Sequence, residues 1–180
     1  MTQALEALPH GGLPDEDDLL AGPPSLRANI RIEDPAWNAV DQVALADMVL
    51  TAVSAHHIAP RHAATCDILF ASDEAVAHLN GAFRGKSGPT NVLAFPSGEN
   101  PGDAQEAVEL GGIALAFGVM QAEARGRGIP RAHHTAHLLL HGVLHLLGLE
   151  HEREEDRLAM ERTEIDILQG LGIPDPYEGS

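Results

Sequence analysis

Cysteine is nearly absent: the 180-residue chain has one, Cys66. A lone thiol excludes an intramolecular disulfide framework and a Cys-rich zinc site. Aromatic residues are scarce at 3%, so the core must rest on Leu, Val, Ile and Ala, and an extensive platform for stacking nucleobases is not expected. There is no run of about 18 apolar residues to span a bilayer; the longest apolar stretch, residues 138–149, is interrupted by His141 and His145. The start lacks a basic segment followed by an apolar one, so no secretory signal is visible. The expected setting is the cytoplasm, with no membrane partner. Basic residues are few, 11 Lys plus Arg against 27 Asp plus Glu, and the formal net charge is −16. Such a mean field repels polyanions and argues against unselective binding to nucleic acid or anionic lipid. It constrains the average surface and leaves a local site free to carry the opposite sign.

What is present describes a globular chain, since 44% apolar and 21% charged residues are ordinary proportions for a packed core in a polar shell. Residues 1–25 combine Pro9, Pro14, Pro23 and Pro24 with Gly11, Gly12 and an acidic run at 15–18, which suits a flexible acidic tail. A single domain is expected over residues 26–175. Leu26, Ala28, Ile30 and Ile32 alternate with polar residues, the period of a half-buried strand. Asp34 then Pro35 reads as a helix cap and first helical residue, opening a helix over 36–57 that Trp37 anchors. A second strand is expected at 65–71, with Cys66 as a buried small hydrophobe. Ser72 caps the next helix, which runs to residue 83. A glycine- and proline-punctuated loop follows at 84–90, then strands at 91–95 and 113–117 separated by an acidic loop. Helices at 119–125, 130–147 and 152–171 complete the chain. Strands alternating with helices indicate a mixed class, one sheet layer covered by helices.

Residues 132–153 hold six of the eleven histidines. On a helix, residues four apart share a stripe about 6 Å apart, so His141 and His145 point side by side toward one ion. His137 is eight residues from His145, about 12 Å along the axis, and metal bonds of about 2.0–2.1 Å cannot bridge that span. The third ligand must come from chain that turns back. Gly148 fits the left-handed residue that ends a helix, and His151 lies three residues beyond it. His141, His145 and His151 are therefore the candidate ligand set. Three neutral nitrogens leave a fourth tetrahedral position for water, the arrangement of a catalytic zinc site, where the water becomes a usable nucleophile as its pKa falls toward about 7. His133 and His134 are expected in an exposed first turn without a role. His137 is expected to line the site or to be hydrogen-bonded in the core, and Met160 to pack in the core rather than beneath the metal. The spacing HxxxHxxGxxH also belongs to metzincin proteases, which need Glu directly after the first His. Gly142 holds that position here, and the direction of Glu150 past the turn is not legible, so peptide hydrolysis is disfavoured.

The string HGVLHLLGLEH at residues 141–151 resembles the signature of the YbeY family, HGxLHLxGYDH, bacterial endoribonucleases that act in rRNA maturation. It departs at Leu149 and Glu150, where the family has an aromatic residue and Asp; neither change removes a ligand. A second block, Leu79-Asn80, Phe83-Arg84-Gly85-Lys86 and residues 89–96 (PTNVLAFP), is similar to the family's LN…YRGK…PTDVLSFP. Leu110-Gly111-Gly112-Ile113 resembles its LGDI, with Gly112 in place of Asp. The resemblance covers residues 26–171 and implies an α+β fold: a small mixed four-stranded sheet covered by helices, with the metal site on a C-terminal helix and the turn after it. It also implies one zinc ion, cleavage of single-stranded RNA, and a part in rRNA maturation and ribosome biogenesis, including the 3′ end of 16S RNA. His141, His145 and His151 match the family's zinc ligands and Arg84 its functional arginine.

Charge placement agrees with an RNA substrate. No acidic residue lies between Glu74 and Glu99, where Arg84 and Lys86 stand, or between Glu123 and Glu150, where Arg125, Arg127 and Arg131 stand with five histidines. The segments carrying the site are thus net basic inside an acidic chain, which suits a phosphate backbone better than a peptide. The expected roles are zinc ligation by His141, His145 and His151; catalysis by His141 through the metal and by Arg84; and phosphate contact by Arg84, as a bidentate fork, and Lys86. Arg125, Arg127 and Arg131 are possible further RNA contacts on a solvated face. Expected partners are single-stranded or ribosomal RNA with ribosomal proteins or assembly factors, and not DNA. Two other readings stay open: a metzincin-like metalloprotease, and a non-catalytic zinc-stabilised ribosome-binding factor.

Overall fold

Leu26, Ala28, Ile30 and Ile32 alternate as an edge strand requires, and they form β1 (Leu26–Ile32) at one side of a four-stranded sheet. The computed structural model describes residues 25–98, 107–151 and 153–178. The expected acidic tail, apart from Ser25, and residues 99–106 of the acidic loop lie outside the described residues. β2 (Ala64–Ala71) pairs parallel with β1, β4 (Val108–Ala116) pairs parallel with β2, and β3 (Val92–Pro96) pairs antiparallel with β4. The order β1-β2-β4-β3 makes the sheet mixed, as expected.

Among the described residues five α-helices pack around the sheet: α1 (Gln42–Ser54), α2 (Asp73–Arg84), α3 (Phe117–Arg127), α4 (Arg131–Leu146) and α5 (Glu154–Gly170). α1 and α4 pack on one sheet face, where Val49, Leu50, Ile68, Phe70, Leu139 and Leu144 are buried together. Cys66 belongs to this core, and burial, then the neighbouring Asp67 carboxylate, push its thiol up to about 12. α2 crosses the opposite face above a smaller cluster of Ala71, Val76, Leu93, Ala114 and Ala116. Asp73, in its first turn, reaches across to cap α3, accepting from the Gly118 and Val119 amides at 2.7 and 3.2 Å.

Two elements differ from expectation. The single helix at 36–57 is two pieces: a 3-10 turn over Pro35–Ala39, an extended Val40, then α1 capped by the Asp41 carboxylate on the Ala44 amide at 3.0 Å. The break follows from anchoring, because Trp37 donates its indole N–H to Ala71 O at 2.9 Å and packs edge-on to Phe70 and Phe117. The last strand begins at Val108 rather than 113, since Gly111-Gly112 marks a bulge inside β4 and not a loop. The register shifts there between Thr65 and Asp67. Gly111 adopts φ +112°, and a Cβ would stand 2.1 Å from Phe95 O, so only glycine fits.

Candidate metal centre

α4 forms because Leu138, Leu139, Leu140, Val143, Leu144 and Leu146 bury its core side. His141 and His145 lie one turn apart at the border of that side and remain partly exposed. Their Nε2 atoms approach to 3.1 Å. The helix then ends as its glycine predicts: Gly148 has φ +88°, and the Leu149 amide donates back to Leu144 O at 3.0 Å. This reversal carries the exposed His151 over the pair, with its ring 5.5 Å from that of His141 and 4.9 Å from that of His145. One nitrogen from each ring falls within 4.8 Å of the other two, a group that can hold a metal ion. A tetrahedral ion with bonds of about 2.0–2.1 Å needs ligand atoms about 3.3 Å apart. The His141–His145 spacing is already close to this, and the His151 nitrogen lies within 4.8 Å of both.

The surroundings favour the same use. Glu164 of α5 is fully buried, and its Oε1 accepts from His141 Nδ1 at 2.7 Å. That bond puts the proton on Nδ1 and leaves the Nε2 lone pair free, the usual support of a metal-bound imidazole. Oε2 of the same carboxylate accepts from Tyr177 OH and from His137 Nε2 at 3.4 Å. Burial works to raise the Glu164 carboxyl, but hydrogen bonds from His137 and His141, the His137 charge and the Tyr177 hydroxyl outweigh it and hold the group down to about 2. The His145 pKa is lowered, first by burial and then by His141, against the opposing pull of Glu150. Glu150 turns toward His145, with its Oε2 at 3.7 Å from Nδ1.

A pocket of about 280 Å³ opens above the histidines and is also lined by Arg84, Asn91 and Tyr177. Arg84 is the last residue of α2; it is exposed, with Nη2 at 3.5 Å from Ala94 O. The structure therefore brings Arg84 to the three histidines from a distant part of the chain. Lys86 is exposed two residues on and is not among the lining residues. Arg125, Arg127 and Arg131 also lie outside that lining; Arg127 instead donates to Pro176 O. Gly142 packs α4 against β4, where a Cβ would come within 2.9 Å of Ile113 Cγ2. A glutamate there, as peptide hydrolysis by a metzincin requires, would collide with the Ile113 side chain.

His134 departs from expectation. It is buried, with Nε2 at 2.7 Å from Glu123 Oε2, and Glu123 also accepts from Asn91 Nδ2 at 3.0 Å. Burial lowers the His134 pKa and Glu123 pulls against it. His137 lines the pocket and shares Glu164, and Met160 is buried beside His141 and His151. No short-range motif marks Glu164 or Tyr177. A signal for Glu164 was present: it shares the apolar stripe of Met160, Ile167 and Leu168, where a carboxylate needs buried donors.

A family model described as Endoribonuclease YbeY matches residues 30–172. A Cereibacter sphaeroides protein named Endoribonuclease YbeY is 45% identical over 159 residues, covering 81% of this chain and 95% of that protein. A Dinoroseobacter shibae protein of the same name is 42% identical over 167 residues, covering 84% and 92%. The solution structure of TM1509 from Thermotoga maritima shares the fold at a TM-score of 0.52 and 23% identity, covering 84% of this chain and 97% of that one.

Proposed function

This chain belongs to the YbeY family of endoribonucleases, and from that premise we propose that it cuts single-stranded RNA with one zinc ion held by His141, His145 and His151. Its place of action is the cytoplasm, in rRNA maturation at sites including the 3′ end of 16S RNA, alongside ribosomal proteins or assembly factors. The observation that carries this reading is that Arg84 and the three histidines line one pocket. Zinc suits three imidazoles, and when bound it supplies Lewis acidity to a phosphoryl oxygen or to water. Glu164 fixes the His141 ring through Nδ1, and the lowered pKa of His145 keeps that ring unprotonated at neutral pH. Arg84 holds the scissile phosphate and offsets charge developing on its oxygens. Lys86 contacts the flanking backbone from the loop that follows α2.

The test is cleavage of labelled single-stranded and structured RNA by the zinc-loaded chain, with a chelator control. Cutting of the single-stranded RNA is expected to stop with chelator and in His141→Ala. Arg84→Ala is expected to keep the zinc and lose most of the cleavage. RNA binding without cutting by the zinc-loaded parent would instead favour a ribosome-binding factor.

A further inference from the structure

The sheet face away from α1 and α4 carries a groove of about 850 Å³ that meets all four strands. Four residues in register cross its floor: Asn29 on β1, Asp67 on β2, Gly112 on β4 and Phe95 on β3. Neighbouring strands are about 4.8 Å apart, so Asp67 and Phe95 stand on either side of Gly112 with bare backbone between them. A Cβ at Gly112 would meet nothing closer than 3.8 Å. On one side of this gap Phe83 packs edge-on to Phe95, with ring centres 5.2 Å apart, and is itself 70% exposed. The chain has only four phenylalanines, and two of them meet here. On the other side the exposed Asp67 carboxylate accepts from Asn29 Nδ2 at 3.0 Å.

A flat apolar surface, an open floor and a carboxylate acceptor across from it match the dimensions and chemistry of a nucleobase. The groove also adjoins the histidine pocket, because Arg84 and Ala94 line both. Phe83 and Arg84 are consecutive in the last turn of α2, so one helix end faces both cavities. We propose that the groove is a nucleobase subsite: a base beside the phosphate held by Arg84 lies over Gly112, stacks on Phe83 and donates its exocyclic amino group to Asp67. This rests on the RNA-cleaving reading for its neighbouring phosphate. Cytosine, adenine and guanine carry such an amino group; uracil does not, so the subsite disfavours uracil. A protein segment covering the same face would bury Asp67 and Arg84 and would have to supply partners for both.

The test uses the full zinc-loaded chain and short single-stranded RNAs altered at one position beside the cut. Binding is read from 2-aminopurine fluorescence at that position, which stacking quenches whether or not cleavage occurs. The parent is expected to quench the probe. Phe83→Ala is expected to abolish quenching and weaken binding about ten-fold, Phe83→Trp to restore both, and Gly112→Leu to block the site. KM should rise with kcat unchanged, and RNA abasic at that position should be indifferent to these substitutions. Asp67→Ala should erase the preference for cytosine over uracil. Parent-like quenching and affinity in Phe83→Ala overturns the proposal. So does loss of ribosomal-protein binding by Phe83→Ala and Gly112→Leu with RNA binding intact. Stacking without cleavage by the parent supports the subsite while refuting the RNA-cleaving reading.

Discussion

Glu164 ties the histidine pocket to the core: it has no exposed surface, and its two oxygens serve His141, His137 and Tyr177. A buried carboxylate is tolerated only with such donors, so its place in α5 is explained by the imidazole it orients. Glu164→Gln keeps the size and loses the negative charge that holds the Nδ1 proton. Zinc affinity is expected to fall about 10- to 100-fold, measured by competition with a chromophoric chelator. Unchanged affinity would mean that His141 is oriented by packing alone. The histidines at 141, 145 and 151 and Arg84 were legible in the sequence, because helical spacing, a helix-ending glycine and family motifs act over short stretches. Glu164, Tyr177 and the Glu123–His134 pair were not. Each joins residues at least 11 positions apart, and only the packing of α3, α4 and α5 decides that they meet.

At the scale of elements, two glycines set the position of α4 and the shape of the sheet. Gly142 lets the helix bearing the histidines lie close to Ile113, and Gly111 turns β4 through its bulge. Gly142→Ala is expected to destabilise the fold by about 1–3 kcal/mol through overpacking. Gly111→Ala adds a positive-φ strain of about 1–3 kcal/mol to a backbone clash, so it should cost more. Denaturant midpoints of the two variants check the order, and equal midpoints would contradict it. The same bulge explains why β4 was only half legible: a Gly-Gly pair reads as punctuation, whereas here it sits in a strand paired on both sides. The split of the expected first helix has a similar origin. Val40 interrupts it because Trp37 is held by Ala71 and two phenylalanines, contacts that no local pattern encodes. By contrast β1 and α2, with uninterrupted periodicity and a Ser72 cap on the Ala75 amide, were readable nearly to the residue.

Over the whole molecule a net charge of −16 surrounds a cleft whose own segments are basic. RNA engaged there meets few cations, so its affinity should depend only shallowly on salt. With Arg84 and Lys86 as the phosphate contacts, at about 0.7 per contact on a single strand, the slope of log K against log salt is expected near −1.4. Arg84→Ala should halve it, and a slope several times steeper would place the RNA on another, more basic surface. All of this depends on three imidazoles sharing one ion that keeps an open position. Zinc K-edge X-ray absorption on the zinc-loaded chain measures that directly. Three imidazole nitrogens and one oxygen at about 2.0–2.1 Å are expected, with one imidazole lost in His151→Ala. A fourth imidazole, a sulfur neighbour, or a spectrum unaltered by that substitution would contradict it.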